Sequence, residues 1–280
     1  VGLRVSSRNA RFQQWEALLG NRSKRQRRGE LLVQGVRPIS MALEHGWQIR
    51  ELLHADSRHL SDWARRTLDT VPAEKIAVTR ELMHELGGKA DTVPELLAVV
   101  AIADDDLRRI PVGPTMYVVV FDRPTSPGNI GNLIRSADAF GASGVVVTGH
   151  AADVYDPKTV RASTGSLFAL PVVRVPTHQA VLSWVAGIRA DGIDIGIVGT
   201  DEHGDRVAAD HDFTQPTVTV IGNETTGISA GWRAACDQLV RIPMVGSASS
   251  LNAATAATVV LYESARQRIG THLPHSRPVP

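Results

Sequence analysis

Residues 116–141 read MYVVVFDRPTSPGNIGNLIRSADAFG, and their pattern changes twice. The run Met116–Phe121 is dense in β-branched residues with no polar alternation, which predicts a strand buried on both faces. Asp122–Gly128 holds Pro124, Ser126, Pro127 and Gly128 and predicts a turn. From Asn129 the spacing of Ile130, Leu133, Ile134, Ala137 and Phe140 is helical, with Asn129 as its N-cap and Gly141 as its stop. Strand, turn and helix in this order form the repeating unit of a parallel α/β sheet, which takes its ligands at the carboxyl ends of its strands. Asn129 at the mouth of that unit and Arg135, about two turns into the helix, become candidate site residues.

The rest of this half repeats the pattern. Strands are predicted at 144–148, 171–175, 194–200, 217–222 and 238–244, alternating with helices near 177–190, 228–236 and 251–268, so the sheet should be mostly parallel and covered by helices. Two of these strands end as the first does. One delivers Asn223 and Glu224 in IGNETTGI (221–228); the other runs through IPMVGSASSLNA (242–253) into the long Ala-rich helix Leu251–Arg268.

Upstream lies a shorter α/β pattern. Leu31–Gly35 reads as a strand, Val36–His45 as a helix stopped by Gly46, and Ile49–His54 as a strand. A helix containing Trp63, the strand Lys75–Thr79, the helix Arg80–Leu86 and the strand Leu96–Ile102 complete a small unit. Residues 104–114 combine acidic residues with Pro111 and Pro114, which places a linker at 106–114 between domains 1–105 and 115–280.

Charge is uneven along the chain. The overall balance is only +1, yet residues 1–30 hold eight basic residues against Glu16 and Glu30. Arg22, Lys24, Arg25, Arg27 and Arg28 form a cluster able to neutralise several phosphates; the alternative is a solvated basic tail. No apolar stretch approaches the ~18 residues of a membrane span, and the start, VGLRVSSR, has no signal-peptide apolar core, so a cytoplasmic protein is expected. The single cysteine, Cys236, excludes an internal disulfide and reads as a small buried helix residue. The histidines lack zinc-site spacing, so no metal is expected. GNIG (128–131) does not supply the dinucleotide fingerprint, and GSASS (246–250) lacks the second glycine of a nucleophile elbow.

Together, Asn129-x-Gly131-x-x-x-Arg135, Gly222-x-Glu224-x-x-Gly227, and Ile242-Pro243-Met244 through Ser250-Leu251-Asn252 resemble, in order and spacing, the three motifs of the SpoU, or TrmH-like, RNA ribose 2′-O-methyltransferases of the SPOUT class. The likeness is strong over residues 114–268. The first domain is similar to the ribosomal-protein-like substrate-binding domain that often precedes that catalytic domain. The resemblance implies a C-terminal trefoil knot, S-adenosylmethionine as cofactor and a homodimer formed through the C-terminal domain, for which the small-residue stripe Ala253, Ala256, Ala257 and Val260 offers one packing face. It implies Gly222, Ile242 and Leu251 at the cofactor, with Thr200, Asn223, Met244 and Ser250 nearby. Gly222 would admit a close backbone approach, and Ile242 and Leu251 apolar contact to adenine. Arg135 would act on the ribose hydroxyl, held with the ribose by Asn129, Glu224 and Asn252, Glu224 being the expected anchor of the guanidinium. Because guanidinium is effectively always protonated, clamping a phosphate and stabilising the developing alkoxide suits Arg135 better than acting as a simple base. Over the whole chain the resemblance is to antibiotic-resistance methyltransferases of 23S rRNA, of thiostrepton or avilamycin type. A housekeeping tRNA or rRNA enzyme and a non-catalytic ribosome-assembly protein on the same scaffold are the alternatives, the intact motif residues favouring an enzyme.

Overall fold

In the computed structural model of the chain, residues 3–57, 59–88 and 93–272 are described. Residues 1–2, 58, 89–92 and 273–280, which the sequence assigns to its two domains, lie outside the described residues. The chain divides into two compact units, Val1–Asp104 with Asp153–Ala169, and Asp105–Ala152 with Leu170–Pro280.

The first unit begins with β1 (Leu3–Val5), α1 (Ala10–Gly20), α2 (Arg22–Arg28), β2 (Glu30–Gln34), α3 (Val36–Glu44), β3 (Ile49–Ala55), α4 (Asp62–Thr70), β4 (Glu74–Val78), α5 (Arg80–Leu86) and β5 (Leu96–Ala101). Its five-stranded sheet has the order β1-β4-β3-β5-β2, with β5 antiparallel to both of its neighbours. Phe12, Trp15 and Leu18 of α1 join Leu82, Met83 and Leu86 of α5 over Leu53, Ile76 and Leu97 of the sheet. Each such side chain contributes about 1.5–3 kcal/mol by leaving water.

The basic start is therefore no tail. Asn9 caps α1 by accepting from the N–H groups of Arg11 and Phe12, Asn21 caps α2 through Lys24 N–H, and Gly29 closes α2 at φ 61. Weighed by its charge, this stretch pointed to neither helix, although Phe12, Trp15 and Leu18 recur at helical spacing. One member of the basic cluster points inward. Arg25 is 2% exposed; its Nε and Nη2 donate to Asp153 at 2.8 and 2.7 Å, and its Nη1 to the carbonyls of Leu18 and Leu19. Its charge is neutralised inside the unit, so it is corrected from a phosphate-binding candidate to a structural residue.

The chain continues with β6 (Tyr117–Asp122), α6 (Pro127–Ala139) and β7 (Gly144–Thr148), contributes α7 (Pro157–Ser163) and α8 (Ser166–Ala169) to the first unit, and completes the second with β8 (Val172–Val175), α9 (His178–Ala190), β9 (Gly196–Thr200), β10 (Arg206–Val207), β11 (Thr217–Ile221), α10 (Ala230–Ala235), β12 (Gln238–Arg241) and α11 (Ala253–His272). The segment expected as a linker packs onto this second unit: Leu107–Arg109 form a short 3-10 turn and Ile110 is buried in the core. Seven strands lie in the order β10-β12-β9-β11-β6-β7-β8, and every pairing is parallel. Val118, Val120, Val218 and Val220 are fully buried, as the unbroken apolar runs require. No described helix is long and apolar enough to cross a membrane.

Because the strands are parallel, their carboxyl ends share one edge. Neighbours β6, β11, β9 and β12 thus bring the loops that follow Asp122, Ile221, Thr200 and Arg241 to one place. Among the boundaries that differ from expectation, three bear on the site or on the stripe of α11. Pro127 occupies the first turn of α6, where its fixed φ suits the helix, and the cap is Ser126, whose Oγ accepts from Asn129 N–H at 3.3 Å. Asn129 is therefore not the cap, and its side chain is released for other partners. β12 stops at Arg241, ahead of Pro243, which has no N–H for a ladder. α11 starts at Ala253 rather than Leu251, and Ala253, Ala257 and Val260 are at most 9% exposed, so most of that small-residue stripe is core. Val259, Tyr262 and Ile269 are the exposed apolar residues of α11.

Candidate active site

Asp122, the last residue of β6, is 3% exposed and collects three donors: Thr148 Oγ1 at 3.0 Å, the Ser229 N–H at 2.9 Å and Arg123 Nε at 3.1 Å. It ties the turn after β6 to the end of the 222–228 loop. The loop is itself a closed turn. Asn223 and Gly227 exchange backbone bonds of 2.9 and 3.1 Å, while Asn223 Oδ1 accepts from Thr225 and Thr226 N–H. Gly222 is needed for this packing, since a Cβ there would stand 2.4 Å from the Gly227 carbonyl carbon and from Ile228 N. The close approach expected at Gly222 is thus made by the chain's own backbone.

Glu224 faces the first motif. Its carboxylate accepts from Thr125 N–H at 3.0 Å, Thr125 Oγ1 at 3.1 Å, Ser126 N–H at 3.1 Å and Asn129 Nδ2 at 3.0 Å. Partial burial, the largest single influence, pushes its pKa up, but the Thr125 N–H, the Asn129 amide and the remaining backbone donors together outweigh it and hold the carboxyl below its usual range. Asn129 Oδ1 accepts from Asn252 Nδ2 at 3.1 Å, and Asn252 Oδ1 accepts from Ala254 and Thr255 N–H, capping α11. Glu224, Asn129 and Asn252 are thereby joined in one hydrogen-bonded line.

The Glu224 carboxylate makes no bond to Arg135, which corrects the expected anchor: four of its donors come from the 125–129 turn and a fifth, longer one from its neighbour Asn223. Arg135 sits on the exposed side of α6, outside the cavity lining, and its guanidinium makes no hydrogen bond or ion pair to any described residue.

Beside this line lies a cavity of about 490 Å³. Thr200, Gly222, Asn223, Ile242, Met244, Ser250 and Leu251, the cofactor candidates, all line it, together with Glu224. The cavity has the size of a small-molecule site, and its mixture of apolar side chains with backbone and hydroxyl groups fits a nucleoside carrying a polar tail. The sequence missed part of the wall: Asp201, Glu202, His203 and Arg233 also line it, with Arg233 paired to Asp201. DEHG (201–204) directly follows a strand, a signal that could have found the first three; Arg233, on α10, carries none.

Cys236 caps α10 rather than lying within it, and burial, with Asp237 nearby, pushes its thiol up to about 12. A thiol so rarely ionised is no nucleophile. In the first unit Arg22, Lys24, Arg27 and Arg28 are exposed on α2, Arg28 donating to Glu30 at 2.6 Å. Among the described residues no group of three or more His, Cys, Asp or Glu is placed to hold a metal ion.

Comparison with known proteins places this geometry. A family model described as the SpoU rRNA methylase family matches residues 116–262, and one described as the SpoU L30e-like domain matches residues 9–98. A Streptomyces viridochromogenes protein named 23S rRNA (uridine(2479)-2′-O)-methyltransferase is 63% identical over 95% of this chain and 93% of its own length. The crystal structure of the SpoU methyltransferase AviRb from Streptomyces viridochromogenes in complex with the cofactor AdoMet superposes with a TM-score of 0.91 at 63% identity, covering 95% of this chain and 100% of that one. An AdoMet-bound rRNA methyltransferase from Sinorhizobium meliloti superposes at 0.82 with 29% identity, over 94% and 97% of the two chains.

Proposed function

The chain belongs to the SpoU rRNA methylase family, and from that premise we propose that it methylates a ribose 2′-hydroxyl of 23S rRNA with S-adenosylmethionine as donor. The target is the uridine equivalent to the one that the Streptomyces viridochromogenes relative's name specifies, and the role is resistance to an avilamycin-type antibiotic in the cytoplasm. One observation carries the reading: the line Glu224, Asn129, Asn252 joins all three motifs at the wall of a cavity that the cofactor candidates line.

Bound in that cavity, S-adenosylmethionine supplies an electrophilic methyl group on a sulfonium. Ile242, Met244 and Leu251 offer apolar surface to its adenine, and Thr200, Asn223, Ser250 and the backbone at Gly222 offer polar contacts. Glu224 is a poor general base, since its oxygens are occupied by five donors and its carboxyl is held below the usual range. Its work is to fix the 125–129 turn. Arg135, exposed and with its guanidinium unpaired among the described residues, is the cation available to grip the phosphate beside the target ribose and to stabilise the alkoxide as the hydroxyl proton passes to solvent water, the methyl going to the oxygen and the sulfonium being left as a neutral thioether. Most of the rate enhancement then comes from positioning. The reading includes the trefoil knot around the 222–228 and 242–253 loops. It also includes a homodimer in which Val259, Tyr262 and Ile269 supply exposed apolar surface; a monomeric mass at micromolar concentration with full activity would remove the dimer from it.

The test is transfer of labelled methyl to 23S rRNA followed by alkaline digestion. A labelled, alkali-resistant dinucleotide is expected. Label on a base would overturn the assignment.

A further inference from the structure

Arg123, directly after β6, has φ 51; among the described residues it shares a positive φ with only one other non-glycine residue, Thr164. The left-handed region is unfavourable for a side chain bearing a Cβ, and Gly or Asn usually fills it. A long cation kept there points to something that the side chain itself does.

We propose that Arg123 is a positioning residue of the methyl-transfer site, holding the 223–227 loop against the 124–129 turn; the proposal rests on the function argued above. Its contacts reach both ends of the loop. The Arg123 carbonyl accepts from Asn223 Nδ2 at 2.7 Å, and Arg123 Nη2 donates to the Gly227 carbonyl at 3.3 Å. Nε donates to Asp122, which also accepts from Ser229 N–H just past the loop. The stem lies against Gly149, where a Cβ would stand 2.7 Å from Arg123 Cγ, so position 149 makes room for it. The loop held in this way presents Glu224 to Thr125, Ser126 and Asn129 and also lines the cofactor cavity. Arg123 therefore sets the cavity wall and the ribose-side turn relative to each other, the spacing on which methyl transfer depends. The side chain is still 36% exposed, so its role is not that of a core residue.

The variant Arg123→Gly separates this role from a purely structural one, because glycine relieves the backbone cost while removing the guanidinium. Its melting temperature should stay within a few degrees of the wild type, because the relieved backbone offsets the donor lost by Asp122, which keeps Thr148 and Ser229, while kcat on 23S rRNA falls by about tenfold or more. Amide exchange at Gly227 should quicken. Arg123→Asn, which also tolerates the left-handed region, repeats the comparison should the glycine variant fold poorly. Turnover within about twofold of wild type, or unchanged exchange at Gly227, would overturn the proposal. So would a joint fall of melting temperature and turnover, which would assign Arg123 to the fold. A wild-type protein unable to methylate 23S rRNA would sink the functional reading alone, and the exchange comparison would still decide whether Arg123 holds the loop.

Discussion

Asn252 donates its amide to Asn129 Oδ1 at 3.1 Å, and the bond has a fixed direction. Asn252 Oδ1 is committed to the N–H groups of Ala254 and Thr255, so only its Nδ2 faces Asn129. Asn129 must then accept on Oδ1 and donate through Nδ2, which it does, to Glu224 at 3.0 Å. The orientation runs from the amino end of α11 through two amides to a carboxylate, each member polarising the next. Asn129 meets both demands with one side chain, which its isostere Asp, acceptor-only when ionised, cannot do.

That requirement makes Asn129→Asp the sharpest probe of the line. The substitution keeps shape but replaces the donor with an oxygen, setting two carboxyl groups against each other. Turnover should fall about a hundredfold and stability by about 1–3 kcal/mol. Melting curves and single-turnover methylation at neutral pH check both. Wild-type turnover would show that the line is decorative.

Glu224 gives a pH dependence of definite sign. Its folded pKa is lowered, against the pull of its own burial, by the Thr125 N–H, the Asn129 amide and the other backbone donors. A lowered folded value means that Glu224 contributes stability above the ordinary Glu range, near pH 4.3, and loses it as pH falls through the folded value. Wild type should therefore be more stable than Glu224→Gln at pH 6–7, with the gap closing below about pH 4. Thermal denaturation of both proteins across this range is the measurement. A gap that widens toward acid would reverse the assignment.

Much of this was legible in the sequence, and the limits have physical causes. The strand at 144–148 and the helix Arg80–Leu86 match their expected bounds, because their apolar patterns are unbroken. The part of the cavity wall that falls in the 222–227 and 242–252 motifs was legible, whereas Asp201, Glu202, His203 and Arg233, outside them, were not. Hydrogen-bond partners were not: motif spacing says that Glu224 lies near the first motif, but only the turn's geometry shows it bound to Thr125, Ser126 and Asn129 rather than to Arg135. Arg25 shows the same limit. In sequence it is one of five clustered cations, and its burial depends on Asp153, far along the chain.

Arg135→Ala should abolish methylation while leaving cofactor affinity nearly unchanged, because Arg135 lies outside the cavity lining. Arg135→Lys should restore little, since a point charge cannot reproduce the bidentate fork on a phosphate. Calorimetric binding of S-adenosylmethionine beside turnover decides the matter. Lost cofactor binding in Arg135→Ala would place the residue at the cavity after all.

The cations of α2 should divide into two classes. Arg25 is 3% exposed in its side chain and Asp153 5%, and they form a charge-assisted pair. Arg25→Ala leaves Asp153 buried without that partner, so it should cost about 3–5 kcal/mol and lower the melting temperature sharply. Lys24 and Arg27 lie exposed on the same helix, and replacing both with Ala should leave the melting temperature within a degree or two. Their effect should appear instead in RNA binding: every phosphate that the variant no longer neutralises takes roughly 0.7–0.9 off the slope of log affinity against log salt. Binding of an rRNA fragment by wild type and by the double variant, measured across a salt series, tests the division. An unchanged slope would make α2 a solvated surface, and the substrate contacts of the first unit would then have to lie on another of its faces.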